Sequence, residues 1–484
     1  MLEFVVFVCG MVVMILEMVG SRVLAPYLGS SIIVWTSLIG IILGSLSLGY
    51  WWGGSRADRN PSYRSLAGII LLSAFFIAGI ALVKSFVLDF LQDRIASLHI
   101  ASAIATIVLF APPGVLLGMV SPYAVKLKLI SLENSGNTVG RLYAISTIGS
   151  ILGTFLGGFC LIALVGSTCI LYVLAIALAV VSLVAFPGDR KLKPASIGLF
   201  IVLMAAAYSY ESYQAAGGLH DVDTNYNRII VFEGKDSRSG SIRIMTTHPK
   251  AMQSAVKVDA PNELILPYTK YYNLATWFKP GAKKYLILGG GGYSYPKYVL
   301  DRYPEATIDV VEIDPGVTKL AEEFFFLKPD PRLRIFHEDA RSFLRRTNER
   351  YDAILVDVFN SHYSIPFHLT TRETVESINR RLTDDGVVIV NILSGIEGKG
   401  GRLLRAEYAT YKSVFKSVGL FPVASMEDTS TWQNVMLVAP KSGKNFESDD
   451  PEYEGLLSHL WKRPVSEDVP ILTDDYAPVD SYFF

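Results

Sequence analysis

An apolar run that ends in four glycines, Tyr285-Leu-Ile-Leu-Gly-Gly-Gly-Gly292, is answered further along by a second apolar run that closes on acids, Val310-Val-Glu-Ile-Asp314. This pattern constrains the fold more than any other feature of the chain. It is how an open α/β sheet holds a nucleoside. The glycines let the backbone approach the ligand, and the acidic residue at the end of the second strand, here Glu312, accepts hydrogen bonds from ribose hydroxyls. Two further strand ends carry acids, Asp339-Ala340 and Asp357. A glycine run alone reads as a turn, and an Asp at a strand end is commonly a helix cap. Four such features on one sheet edge are what make the nucleoside reading specific.

The surrounding pattern supports it. Strands are predicted over 284–288, 307–313, 332–338, 351–358 and 386–393, alternating with helices over 318–326, 340–346 and 372–382. That alternation predicts a parallel, doubly wound Rossmann-like sheet, whose ligands bind at the carboxyl ends of the strands. Before it, residues 223–258 carry short alternating segments, 228–232 and 241–245, separated by Gly and polar turns, and read as a small β layer.

The first 215 residues are of another kind. The whole chain is 51% hydrophobic and only 18% charged, below the ordinary charged share of about 25%, and the deficit is concentrated in this half. A helix needs about 20 apolar residues to cross a bilayer. Seven segments qualify, at 2–20, 32–53, 65–83, 99–121, 140–163, 168–186 and 195–212. Pro112-Pro113 is expected to kink the fourth or make it re-entrant. Gly40, Gly44 and Gly49, with Gly149, Gly153, Gly157 and Gly158, are read as close helix packing. The start lacks a basic region and a clean cleavage site, so it is read as a retained helix and not a signal peptide. Three domains are therefore expected: a membrane domain over 1–215, a β-rich part over 216–280, and a nucleoside-binding catalytic domain over 281–484.

Arg56, Arg59, Arg64, Lys126, Lys128, Arg141, Arg190, Lys191 and Lys193 fall on one side of these spans, which the positive-inside rule puts in the cytoplasm. Seven spans would then carry the soluble half to the far side. Supply of a cellular cofactor argues instead for a cytoplasmic soluble half of an integral membrane protein, and that is the expectation adopted. A net charge of −1 gives no footprint for nucleic acid. Cys9, Cys160 and Cys169 all lie in apolar stretches, and the histidines show no ligand spacing, so neither a disulfide framework nor a metal site is expected in the soluble half.

At these residues the chain resembles the spermidine synthase family of polyamine aminopropyltransferases, and most closely its membrane-fused members. The resemblance runs through Ser21-Arg-Val-Leu-Ala-Pro-Tyr-Leu-Gly29, Gly53-Gly-Ser-Arg-Ala-Asp-Arg59, the glycine loop, Val311-Glu-Ile-Asp314, Glu338-Asp-Ala340, Asp357, Ile365-Pro-Phe-His-Leu-Thr-Thr371 and Leu472-Thr-Asp-Asp-Tyr-Ala-Pro478. It implies that Gly289, Gly290, Gly291, Glu312, Asp339 and Ala340 bind the nucleoside co-substrate, with Glu312 on the ribose and Asp339 on the adenine amino group. It implies that Asp357 is the proton acceptor, and that Gln253, Tyr268, Asn360 and Tyr363 line the substrate groove. The co-substrate is then decarboxylated S-adenosylmethionine, or S-adenosylmethionine itself, without a metal. The partners are an amine acceptor and the lipid bilayer, and a homo-oligomer is expected. The chain departs from the family pattern at Gly292 and Asn360, where the family has carboxylates that hold ammonium groups, and at Asn227, where it has Gln. Two alternatives stay open: a methyltransferase or lyase using S-adenosylmethionine, and a polyamine or nucleoside transporter or sensor whose soluble half only binds.

Overall fold

Backbone N–H and C=O groups inside a bilayer must pair within their own segment, and the apolar half of the chain answers with long helices. The computed structural model describes residues 1–95, 97–129, 135–162, 165–185, 198, 201–202, 205, 209, 218–224, 226–236, 240–247, 252–358, 366–447 and 450–483. The chain forms two compact units, Met1–Arg228 and Ile229–Phe484.

In the first unit, α1 (Leu2–Leu28), α2 (Ile32–Arg59), α3 (Tyr63–Arg94), α4 (Leu98–Lys128), α5 (Ser135–Phe155) and α6 (Ser167–Ala185) follow one another. The last turn of α5 widens into a π-helix, Leu156–Leu161. Six helices among the described residues are long and apolar enough to cross a membrane. The predicted seventh span, 195–212, lies outside the described residues save for isolated positions. Helix α4 runs unbroken through Pro112, Pro113 and Pro122, one continuous helix and not a re-entrant segment. Neighbouring helices can re-satisfy the backbone groups that proline frees.

Close approach accounts for part of the glycine content. A Cβ at Gly49 would stand 2.2 Å from the Val115 carbonyl oxygen of α4, and one at Gly149 would stand 2.1 Å from the Phe7 carbonyl oxygen of α1. Gly40 and Gly44 face open space instead, which corrects the packing role read for them. The two ends of the bundle differ chemically. At one end, Lys128 and Arg141 pair with Glu3 at 2.5 and 2.8 Å, and Lys126 pairs with Asp58 at 2.7 Å. Ser182 of α6 bonds the Ala67 carbonyl at this end, at 2.7 Å. At the opposite end, Lys84 Nζ donates to Thr168 Oγ1 at 2.5 Å. There too the strand β1 (His220–Asp223) reaches Ser167: the Asp223 carboxylate accepts from its backbone N–H at 2.7 Å and from its hydroxyl at 2.9 Å. The three cysteines are free thiols, all in this unit.

The second unit opens with an antiparallel meander, β2 (Arg228–Asp236), β3 (Gly240–Thr246) and β4 (Ser254–Lys257). Its main sheet holds seven strands, adding β5 (Lys284–Leu288), β6 (Thr307–Val311), β7 (Leu333–Phe336), β8 (Tyr351–Val356), β9 (Leu382–Ser394), β10 (Gly419–Pro422) and β11 (Gln433–Pro440). Their order is β10-β11-β9-β8-β5-β6-β7. Six run in one direction and β11, between β10 and β9, runs antiparallel to both, so the sheet is mixed where an all-parallel one is predicted. The core is Leu286, Leu288, Ile354, Val356, Val388 and Val390 with the helices laid on them. Strand order reverses at β5, where β6 lies to one side and β8 to the other. A crevice opens at such a switch point, beyond the carboxyl ends of the strands.

Candidate active site

The glycine loop leaves β5 at this crevice because no other residue fits. Gly289 has φ +95°, and a Cβ there would meet the Asp357 carbonyl oxygen at 2.2 Å. The N–H of Gly292 donates to Ser254 Oγ at 2.9 Å, so the first residue of β4 holds the far end of the loop. A Cβ at Gly292 would meet the Phe325 ring at 2.8 Å and Ser254 Cβ at 3.0 Å. The space for a side chain at this position is therefore already filled.

Glu312 follows β6 directly, on the other side of the loop. Its carboxylate accepts from the N–H of Gly290 at 2.8 Å and of Asp314 at 2.9 Å. Burial pushes its pKa above the ordinary range, and these backbone donors pull it back. Asp357 follows β8, its backbone tied to the Leu288 carbonyl at 2.8 Å. Oδ2 accepts from the Tyr268 hydroxyl at 3.0 Å and Oδ1 from Asn391 Nδ2 at 2.9 Å. Burial raises its pKa, and the donors Asn391 and Tyr268 act against that rise. The Tyr268 hydroxyl is pushed well above its usual range, by burial first and by Asp357 second.

A cavity of about 290 Å³ joins these groups. Gln253, Tyr268, Gly289, Gly290, Gly291, Glu312 and Asp357, all predicted from sequence, line it together. Asp339 and Ala340 are not among its lining residues. Asp339 caps helix 340–346, accepting from the Ser342 N–H at 2.8 Å, and its other oxygen meets His368 Nε2 at 2.9 Å. Asn360 and Tyr363 lie outside the described residues. Sequence reading missed Ser254, Tyr272, Asn391 and Asn434, which also line the cavity. Asn391 had a legible signal, a lone amide inside the apolar run Val387-Val-Ile-Val-Asn-Ile-Leu393.

Comparison with known proteins follows the same residues. A family model described as the spermine/spermidine synthase domain matches residues 270–424. A polyamine aminopropyltransferase of Vibrio vulnificus is 33% identical over 303 residues, covering 59% of this chain and 97% of that protein. Polyamine aminopropyltransferase 2 of Ralstonia nicotianae is 24% identical over 425 residues, 81% of this chain and 78% of the relative. Among solved structures, a probable spermidine synthase from Corynebacterium glutamicum aligns at 22% identity and a TM-score of 0.43, covering 51% of this chain and 88% of that one.

Proposed function

The chain belongs to the polyamine aminopropyltransferase family, and from that membership we propose that it is a membrane-bound transferase moving an aminopropyl group from decarboxylated S-adenosylmethionine to an amine acceptor. The observation that carries this reading is Asp357, a carboxylate held from both oxygens beside the glycine loop on the wall of one cavity.

The acceptor amine attacks the methylene carbon bonded to the sulfonium. A C–N bond forms as the C–S bond breaks, and sulfur keeps the electron pair and leaves as neutral methylthioadenosine. The surplus proton on nitrogen goes to the Asp357 carboxylate, whose raised proton affinity suits it to receive one. Tyr268 stays protonated and acts as a donor that orients Asp357, since burial opposes its ionisation. Glu312 holds the ribose with the lone pairs that Gly290 and Asp314 leave free. No metal is required, because the sulfonium is already a good leaving group and the work is alignment.

One observation favours a second reading, in which intact S-adenosylmethionine is consumed. Gly292 stands where the family carries the carboxylate for the donor's ammonium, and Phe325 and Ser254 fill that space. Incubating the purified protein with each sulfonium and an amine, followed by mass spectrometry, separates the two. An aminopropylated amine formed only from the decarboxylated donor supports the first reading. Methylated or cleaved products from the intact donor replace it with the second.

We infer the membrane side from the charges of the first unit. The basic residues Lys126, Lys128 and Arg141 share one end of the bundle, and β1 is bonded to Ser167 at the other. With the basic end cytoplasmic, we place β1 on the opposite face, against the expectation from co-substrate supply.

A further inference from the structure

Asp357 is one end of a chain of amides. Asn391 Nδ2 donates to Asp357 Oδ1 at 2.9 Å, and Asn434 Nδ2 donates to Asn391 Oδ1 at 2.9 Å. The two asparagines come from neighbouring antiparallel strands. Asn391 of β9 pairs with Met436 of β11, and Asn434 pairs with Leu393, so both asparagines point to one face of the sheet as diagonal neighbours. Both line the cavity, and Asn391 is 93% buried by its 7% exposure.

A carboxylate only accepts hydrogen bonds, whereas an amide presents an acceptor at one end and a donor at the other. Asn391 has two orientations related by a half turn. In one its NH2 meets Asp357. In the other its carbonyl oxygen faces the carboxylate, and two acceptors confront each other. The carboxylate disfavours the second orientation, and Asn434 adds to that preference, because its NH2 donates to the oxygen that Asn391 turns toward it in the first. We propose that Asn434 is a positioning residue that sets the strength of the base Asp357 through the orientation of Asn391. This rests on the assignment of Asp357 as the proton acceptor.

The direction of the effect follows. The bond from Asn391 lowers the proton affinity of Asp357 against the effect of burial. Without Asn434 that bond loses its support and weakens, and the pKa of Asp357 rises. A base works deprotonated, so the acid limb of the pH–rate profile moves to higher pH.

The test compares Asn434→Leu and Asn434→Asp with the wild type, using the full chain in detergent or liposomes. On the acid side of the profile, kcat/KM for aminopropyl transfer falls about tenfold in the leucine variant, the scale of one hydrogen bond to a charged group. It falls further in the aspartate variant, whose carboxylate pulls the Asn391 NH2 away from Asp357. At alkaline pH both approach wild-type rates, which a merely structural defect would not produce. A second readout needs no turnover. The infrared band of the protonated Asp357 carboxyl, identified as the band lost in Asp357→Asn, titrates at higher pH in both variants. An unmoved midpoint overturns the relay whatever the enzyme's reaction. Absence of aminopropyl product in the wild type overturns the function and leaves the infrared result to decide the relay.

Discussion

Glu312 shapes the glycine loop before any ligand arrives. Its two oxygens take the N–H groups of Gly290 and Asp314, so one side chain closes the loop and waits for the ribose. Glu312→Ala is expected to weaken methylthioadenosine binding by about 1.5–3 kcal/mol, the value of a charge-assisted hydrogen bond, and calorimetry measures it directly. Asp357→Asn keeps the shape of the base but not its function. Turnover should fall by about 10²-fold or more while nucleoside affinity is largely retained. Near-wild-type turnover would remove Asp357 as the base. Gly289→Ala adds a methyl 2.2 Å from the Asp357 carbonyl oxygen at φ +95°. A loss of at least about 2 kcal/mol of stability is expected from left-handed strain and the clash together, seen as a lower midpoint in denaturant. These residues were legible because each sits at the end of its own apolar strand, where local pattern suffices. Asn434 was not, since its meaning depends on a diagonal neighbour 43 positions earlier in the chain, and no local pattern announces that pairing.

Elements divide along the same line. The strands of the βα alternation could be read from their apolar runs, and the structure ends three of them, β6, β7 and β8, two residues early. Helix 402–412 still leads into β10, but no helix separates β10 from β11, so the alternation that predicts parallel strands stops before β11, the one reversed strand. That helix carries Glu407, 2% exposed, with its pKa raised well above the ordinary value by burial. A carboxyl whose folded pKa is raised stabilises the fold while protonated. Its contribution is complete below the unfolded pKa and is lost as pH climbs through the folded one. Glu407→Gln should therefore leave stability unchanged below the unfolded pKa of 4.5 and raise it increasingly as pH climbs above that value. Thermal melts of the two proteins across pH would show the curves together at strongly acid pH and diverging as pH rises. Curves that stay parallel would mean that Glu407 is ionised or relieved by a partner in the folded state.

At the scale of the whole molecule, the helical half was recognisable from composition and length alone. Which face of the bilayer receives the end of the first unit was not, because loop charge and co-substrate supply point in opposite directions. The Asp223–Ser167 bonds put this end opposite the basic residues, and taken with the charge rule they make a direct prediction about Tyr226, 47% exposed and two residues before the unit ends. In a chain whose three native cysteines are replaced, Tyr226→Cys should be labelled in intact cells by a membrane-impermeant maleimide. Labelling only after permeabilisation would place this end in the cytoplasm. The location of the cysteines then takes on a further meaning. Cys9, Cys160 and Cys169 belong to the first unit, and Ile229–Phe484 contains none. A unit without a thiol has no disulfide to form or to lose. It needs no oxidant to mature and no reductant to remain active, so it would meet an oxidising compartment or a reducing one with the same fold.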